Sequence, residues 1–379
     1  MPSRITRRNL LKLAVAGAGS SAVGLYFLNK SSAADYSHPA YLYWDKSTQG
    51  ALNLTRYLAL CASLAPSPHN TQPWRFVTGK NEINVFADRT RNLGRGDADF
   101  RMVLMSIGCA VENIHIAAAR LGHEARVAAV ADAEFSRSGL CARIALTRRS
   151  EPVKHPLFDS IFQRQTTRAP FLNSPVPAVL MQSMSDMNDS PNLMLRWFDK
   201  PQDIAKINRV HGEAVRSFVV SAAYQDGLKW WRYTRDEMLD RRDGTSIFTS
   251  CAPGLIKQYF QISVDQAAMS GRFGQDGEIE LMDKLFEATP LWGAITSKQT
   301  GNNARLDAGR LLERVYLETA RQNYQIMPVA YVPEQPEHAA TMKAMLEIPQ
   351  EHELLSVFRI GRAQACERSV RRLLSDVVA

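Results

Sequence analysis

Metal-ligand and disulfide patterns are missing from the 379 residues. The five cysteines, Cys61, Cys109, Cys141, Cys251 and Cys366, are widely spaced and never form a CxxC pair. This excludes a zinc knuckle, argues against a disulfide framework and reads as mostly buried thiols. The eight histidines offer neither HExxH nor an i, i+4 pair, so no protein-bound metal is expected. No Ser/His/Asp or Cys/His constellation is legible, so a protein nucleophile has no support. Acidic residues are absent before Asp35, whereas Arg4, Arg7, Arg8, Lys12 and Lys30 all precede it. Those five account for most of the formal net charge of +8 and leave +3 for the remainder. That remainder is too small to imply a nucleic-acid partner. With 45% hydrophobic and 22% charged residues, the composition is globular and sufficient for two modest domains or one large duplicated one.

What is present begins with the pair Arg7-Arg8, followed by Asn9, Leu10, Leu11 and Lys12 and an apolar run to Leu28. This is the layout of a signal peptide over residues 1–34, and it resembles the twin-arginine export motif read by that machinery. An ordinary Sec signal or single-span anchor is the alternative. Ser32-Ala33-Ala34 supplies small residues for cleavage, yet the run is long enough to remain as a membrane tether. The expected destination is the periplasm, with the signal either removed or retained.

From Leu52 a helix ending near Leu64 leads to a Pro-rich loop, Ala65 to Trp74, and then to strands at Arg75–Val77 and Ile83–Ala87. Residues 100–122 carry Met102, Met105, Ile107, Ala110, Ile114, Ala117 and Leu121 at helical spacing, stopped by Gly122. Strands near Ala125–Val130 and Ala142–Leu146 close a first half, residues 35–150. A second half, 151–379, shows helical stretches at 201–242 and 303–324, strands at Leu193–Trp197, Trp292–Ser297 and Leu355–Ile360, and a basic tail. GCAVENIHIAAARLGH (108–123) and GRLLERVYLETARQNY (309–324) share a glycine, an apolar stripe and an end signal. An α+β fold with internal duplication is the economical reading.

Three stretches carry chemistry. SPHNTQPW, Ser67 to Trp74, combines a hydroxyl, an imidazole, two carboxamides and an indole with two stiffening prolines, Pro68 and Pro73. Ser67, His69, Asn70, Gln72 and Trp74 together suit a flat heterocycle edged with carbonyl and NH groups. RQTTRAPF, Arg164 to Phe171, brackets Thr166 between Arg164 and Arg168, an arrangement suited to a phosphate dianion. FRIGRAQACERSVRRLL ends a strand at Gly361-Arg362 and follows it with a basic cluster, Arg368, Arg371 and Arg372, of which Arg371 and Arg372 adjoin the final apolar anchor Leu373-Leu374.

The first stretch closely resembles the flavin-lining loop of nitroreductases and, as PHNTQPW, that of the branch called Acg-like. The second resembles the family's RxSxR motif, and the third its basic C-terminal return. The resemblance implies an antiparallel-rich mixed sheet packed by helices, FMN as cofactor, and Ser67, His69, Asn70, Gln72, Trp74, Arg164, Thr166, Arg168, Arg371 and Arg372 as its ligands. It implies ping-pong hydride transfer to nitroaromatic or quinone acceptors, fed by NAD(P)H or another reductant. His69 is a candidate proton donor or a structural histidine. The ring loop lies in one half and the phosphate residues in the other. A monomer acting as an intrachain pseudo-dimer is therefore expected, with SPNLMLRW (190–197) marking a decayed second site. Residues 225–290, with Trp230, Trp231 and Tyr233, read as an insert that either covers the ring as a lid or anchors a helix. Under a lid, the protein could store FMN without turnover.

Overall fold

The computed structural model describes residues 34–46 and 52–379. The export signal read at Arg7-Arg8 lies outside the described residues.

The architecture is α+β and repeats itself. In the first half, Asn53 accepts from the Arg56 amide at 3.0 Å and opens α1, Leu54–Ser63. Then follow β1 (Trp74–Thr78), β2 (Glu82–Ala87), α2 (Arg101–Arg120), β3 (His123–Ala128), α3 (Asp132–Ser138) and β4 (Leu140–Arg148). The strands form an antiparallel sheet in the order β1-β2-β4-β3. In the second half, α4 (Ala178–Ser185) precedes β5 (Leu193–Phe198). Six helices come next: α5 (Pro201–Val219), α6 (Ala222–Leu228), α7 (Arg235–Arg241), α8 (Gly254–Ser263), α9 (Gln266–Ser270) and α10 (Arg272–Glu287). The chain then forms β6 (Leu291–Ser297), α11 (Asn302–Arg321), β7 (Gln325–Val329), α12 (Pro336–Met345), β8 (Glu353–Gly361) and α13 (Leu374–Val377). This sheet has the order β5-β6-β8-β7, the same topology. Each sheet also has one bulge between its second and last strand, at Val85/Phe86 and at Ile295/Thr296.

The two long helices cross in the middle of the molecule, and the residues at the crossing are the glycines that open the sequence echo. A Cβ on Gly108 would lie 2.0 Å from the Leu306 carbonyl oxygen, and one on Gly309 would lie 2.1 Å from that of Met105. Only glycine lets the backbones approach this closely. α2 is buried around almost its whole circumference, as a helix apolar on all sides must be. Its length and composition would also suit a membrane span, but here it is the central core helix.

The halves differ between their first two strands. β1 and β2 are joined by a tight turn, whereas β5 and β6 are separated by α5–α10, so the insert begins at Pro201 rather than near 225. The helical stretch expected over 201–242 is divided among three helices, α5, α6 and α7. β7 escaped the sequence reading because it contains Pro328, which the sheet tolerates at its edge. The cysteine reading also needs correction. Cys61, Cys109 and Cys141 are buried free thiols, but Cys251 and Cys366 are joined by a disulfide across 115 residues.

The insert has its own core, within which His211 is fully buried and stacked on Trp292 at 4.9 Å between ring centroids. Neither ring nitrogen has a hydrogen-bond partner, and burial pushes the imidazole down to about 3. Its folded pKa lies below the unfolded value of about 6.5, so its contribution is complete above that pH and is lost as pH falls through the window below it. By pH 5 the loss should reach about 2 kcal/mol. His211→Phe keeps the ring packing without a titrating group. Urea midpoints at pH 7 and pH 5 should lie closer together in the variant, and an unchanged gap would refute this account.

Candidate functional site

A cavity of about 280 Å³ lies where the two halves and the insert meet. The first half contributes Ser67, Pro68 and His69 from the Pro-rich loop and Met102, Met105 and Cys109 from α2. The second half contributes Thr166, Arg168, Tyr316 and the segment after β7 that carries Ala330 and Tyr331. Tyr224, Leu228, Trp231, Glu278 and Met282 of the insert form the remaining wall.

The loop is strained and tightly held. His69, Asn70 and Gln72 have φ of 45°, 52° and 49°, left-handed values that cost a non-glycine residue about 1–3 kcal/mol each. Hydrogen bonds from distant parts of the chain hold this shape. Ser67 Oγ accepts from the Gln72 amide at 2.9 Å. Arg371 donates to Asn70 Oδ1 at 2.9 Å, and Asn70 Nδ2 donates to the Val370 carbonyl at 3.1 Å. The Arg372 amide donates to Gln72 Oε1 at 2.9 Å, while Gln72 Nε2 donates to the Arg242 carbonyl at 2.7 Å. His69 Nδ1 donates to the Gly227 carbonyl at 3.2 Å. Burial, and then Arg168, bring the His69 pKa down to about 4, so the ring is neutral at pH 7.

The residues singled out from the sequence therefore fall into separate groups. Ser67, His69, Thr166 and Arg168 line the cavity. Asn70, Gln72 and Arg372 spend their polar groups on holding the loop. Trp74 opens β1 with its side chain fully buried in the core, so it anchors the strand instead of facing the cavity. Arg164 and Arg168 do not converge on one point. The RQTTR segment runs beside β7, with Thr166 bridged in parallel to Ile326, and its two ends diverge. Arg168 enters the cavity, half-buried, with no hydrogen-bond partner among the described residues. Burial lowers its pKa, with Tyr316, Glu278 and Tyr331 favouring the charge. Arg164 turns the other way, donating to the Leu64 carbonyl at 2.7 Å and lying over the rings of Trp44 and Tyr316.

Arg164, Arg368 and Arg371 converge on Trp44, with guanidinium carbons 5.8, 5.0 and 4.6 Å from the ring centroid. No carboxylate lies within ion-pair distance of these three among the described residues. Arg164 Nε and Arg371 Nε are buried without hydrogen-bond partners among the described residues. Burial, and then Arg164, hold Arg371 well below the usual guanidinium range. The site thus offers an aromatic-walled cavity with hydroxyls and two arginines, Arg101 and Arg168, and beneath Tyr316 a cluster of cations with no carboxylate at ion-pair distance among the described residues.

The sequence reading did not find Tyr316, Tyr331 or Glu278. Tyr331 donates a short hydrogen bond to Glu278 Oε1, and burial raises the Glu278 pKa. Glu278 sits on an insert helix with no motif around it. Tyr331 follows an edge strand that the periodicity did not reveal.

The second copy of this arrangement is filled by side chains. The position on α11 equivalent to Cys109 is Arg310, counting from the crossing glycines, and it donates to Glu112 at 2.8 Å. Arg314 grips Asp189 through two bonds of 2.7 Å. Those ion pairs occupy the pseudo-symmetric location.

Fold and site together define a duplicated α+β protein with one cavity built from both repeats. No family model matches the chain. Among curated proteins it is similar to a Mycobacterium tuberculosis (strain H37Rv) protein provisionally named an NAD(P)H nitroreductase, 27% identical over 176 residues. That match covers 46% of this chain and 50% of the relative. It is also similar to acg of the same strain, provisionally named likewise, 28% identical over 183 residues, covering 45% and 51%. The chain spans about half the length of the curated relatives it matches. Among solved structures it is similar to a BluB-like flavoprotein from Clostridium difficile 630, 14% identical, covering 59% of this chain and 97% of that one, with a TM-score of 0.39. The FMN and NADPH-dependent nitroreductase NfnB from sphigopyxis sp. strain HMH is 16% identical, with the same coverages and TM-score.

Proposed function

We propose that this chain is an FMN-dependent oxidoreductase of the nitroreductase type, acting as a monomer in which one chain supplies both sides of the cofactor site. The observation that carries the reading is the pairing of the aromatic-walled cavity with a buried arginine cluster that has no carboxylate within ion-pair distance among the described residues. A cofactor with a planar ring at one end and a phosphate at the other fits that pairing. Ser67, Thr166 and Arg168 would hold the ring, and Arg164 and Arg371 the phosphate. FMN, when bound, supplies the two-electron redox chemistry. Tyr224, Leu228 and Trp231 would exclude water from the same cavity, and His69, neutral at pH 7, would help fix the loop. The acceptors are small oxidised molecules such as nitroaromatics or quinones, and the donor is NAD(P)H or an alternative such as a quinol. The first half spans 35–150 and the second 151–379. The signal over 1–34 directs the protein through the twin-arginine machinery to the periplasm, and the Cys251–Cys366 disulfide suits such an oxidising compartment.

The test is a visible spectrum of protein purified without added flavin, with mass analysis of the released cofactor. Flavin bands and the mass of FMN are expected. Arg164→Ala should weaken FMN retention roughly 10–100-fold, the range for a lost charge-assisted hydrogen bond, and Arg272→Ala, on the exposed face of α10, should not. A colourless protein that takes up no added FMN would end this reading.

A further inference from the structure

Glu112 and Glu313 each follow the crossing glycine of their helix by four residues. The duplication therefore puts two carboxylates in equivalent places in the core, and both are buried, at 2% and 0% exposure. Their partners differ. Glu112 accepts from Arg310 Nε at 2.8 Å, with Arg314 Nε at 3.8 Å. No cation lies within ion-pair distance of Glu313 among the described residues. Asn113, beside it, donates one amide hydrogen to the Cys61 carbonyl at 3.2 Å and turns the other toward Glu313. The charged and titratable groups facing Glu313 are Arg164 from the RQTTR segment, Arg371 from the C-terminal arm, Glu112 and Cys109 from α2, and Tyr316 from its own helix. The repeat with the paired glutamate has its site filled by ion pairs, and the repeat with the unpaired one has the arginine cluster.

We propose that Glu313 is the internal counter-ion of the Arg164–Arg371 pocket, and that filling this pocket with a phosphate dianion drives a proton from solvent onto Glu313. The inference rests on reading that pocket as the phosphate site. A dianion bound at Arg164 and Arg371 would place two further negative charges near Glu313, and a like charge nearby favours the protonated acid. Burial already raises Glu313 to about 7, opposed by Arg164. With that value, about one molecule in ten carries the proton at pH 8 before binding, and most carry it at pH 6.5. Affinity for the phosphate should therefore weaken about tenfold across this range, because only the protonated fraction is competent. The second ionisation of a phosphate ester, near 6, acts in the opposite sense, so the informative window lies above pH 6.5.

The test titrates the full chain, freed of flavin, with FMN and with riboflavin, by calorimetry in two buffers of different ionisation enthalpy. At pH 8, wild type should take up close to one proton with FMN and none with riboflavin. Glu313→Gln, isosteric with the protonated acid, should take up none, bind FMN about tenfold more tightly than wild type at pH 8, and lose the pH slope. Glu112→Gln should retain the wild-type slope, and circular dichroism would verify that both variants are folded. FMN binding without proton uptake, or an unchanged slope in Glu313→Gln, overturns the proposal and leaves the phosphate reading intact. Riboflavin binding as tightly as FMN, or no FMN binding at all, overturns both.

Discussion

Gly309→Ala will be strongly destabilised, and Gly108→Ala will behave the same way. An alanine Cβ at 309 would lie 2.1 Å from the Met105 oxygen and 2.7 Å from its carbonyl carbon, and one at 108 would lie 2.0 Å from the Leu306 oxygen and 2.9 Å from Gly309 Cα. All of these are backbone atoms, so no side chain can rotate aside. The only relief is to move α2 and α11 apart by about 1 Å, which loosens close packing along two 20-residue helices at once. Ordinary overpacking costs about 1–3 kcal/mol when neighbours can adjust. Here they cannot, so at least about 3 kcal/mol is expected against a total stability of about 5–15 kcal/mol. The double variant should cost less than the sum, because both methyl groups open the same contact. Gly277 in α10 is the control. Its Cβ would meet nothing within 4 Å, so Gly277→Ala should stabilise by up to about 1 kcal/mol through helix propensity. Soluble yield and urea midpoints decide the matter. A Gly309→Ala variant melting within a few degrees of wild type would show that the helices do not cross as described.

The same glycines show how much was legible beforehand. Two helical stripes beginning at Gly108 and Gly309 suggested a duplication, because close crossing constrains glycine strongly enough to leave a mark on sequence. β2, whose buried and less buried residues alternate over Glu82–Val85, and β6, a continuous buried run, were legible as well. The insert was not. Its middle helices, such as α6 and α7, are short and opened by the caps Ser221 and Thr234, each using a local side-chain bond that periodicity over a long window averages away. In the site, residue types were informative but directions were not. Gln72 has the donors and acceptors a heterocycle needs, yet the Arg242 carbonyl and the Arg372 amide already take them. Trp74 faces inward because the first residue of β1 points to the core. Arg164 and Arg168 diverge because the segment beside β7 brings its two ends to different surroundings, a tertiary fact invisible to spacing.

Reducing the Cys251–Cys366 disulfide will open the cavity wall before it unfolds the protein. The bond joins the loop ahead of α8 to an arm, residues 362–373, that has no helix or strand of its own. The arm carries Arg371, whose guanidinium holds Asn70 and the Leu64 and Ala65 carbonyls, and Arg372, which holds Gln72. On the insert side, Ser246, Ile247 and Ser250 line the cavity just before Cys251. One covalent link therefore ties the insert wall to the segment that fixes the strained loop. Without it, insert and arm are still joined at Glu367, which accepts from Arg235 at 2.7 Å and lies 3.9 Å from Lys257 of α8, while Tyr41 donates to it at 2.9 Å. Closing a loop of 115 residues is worth about 4–5 kcal/mol in the chain-entropy account, an upper value. Part of that will appear as local opening, since both ends keep native contacts. Cys251→Ser, or wild type in dithiothreitol, should melt roughly 10 °C lower, using about 2–4 °C per kcal/mol for a large domain. Amide exchange should rise first in residues 244–264 and 362–373, while α2 and α11 stay protected. Equal melting and equal exchange in the reduced protein would mean that the charge cluster around Glu367 holds the arm alone. If the expected pattern appears, the wall is firm only where thiols are oxidised, and the same chain in a reducing compartment is the looser form.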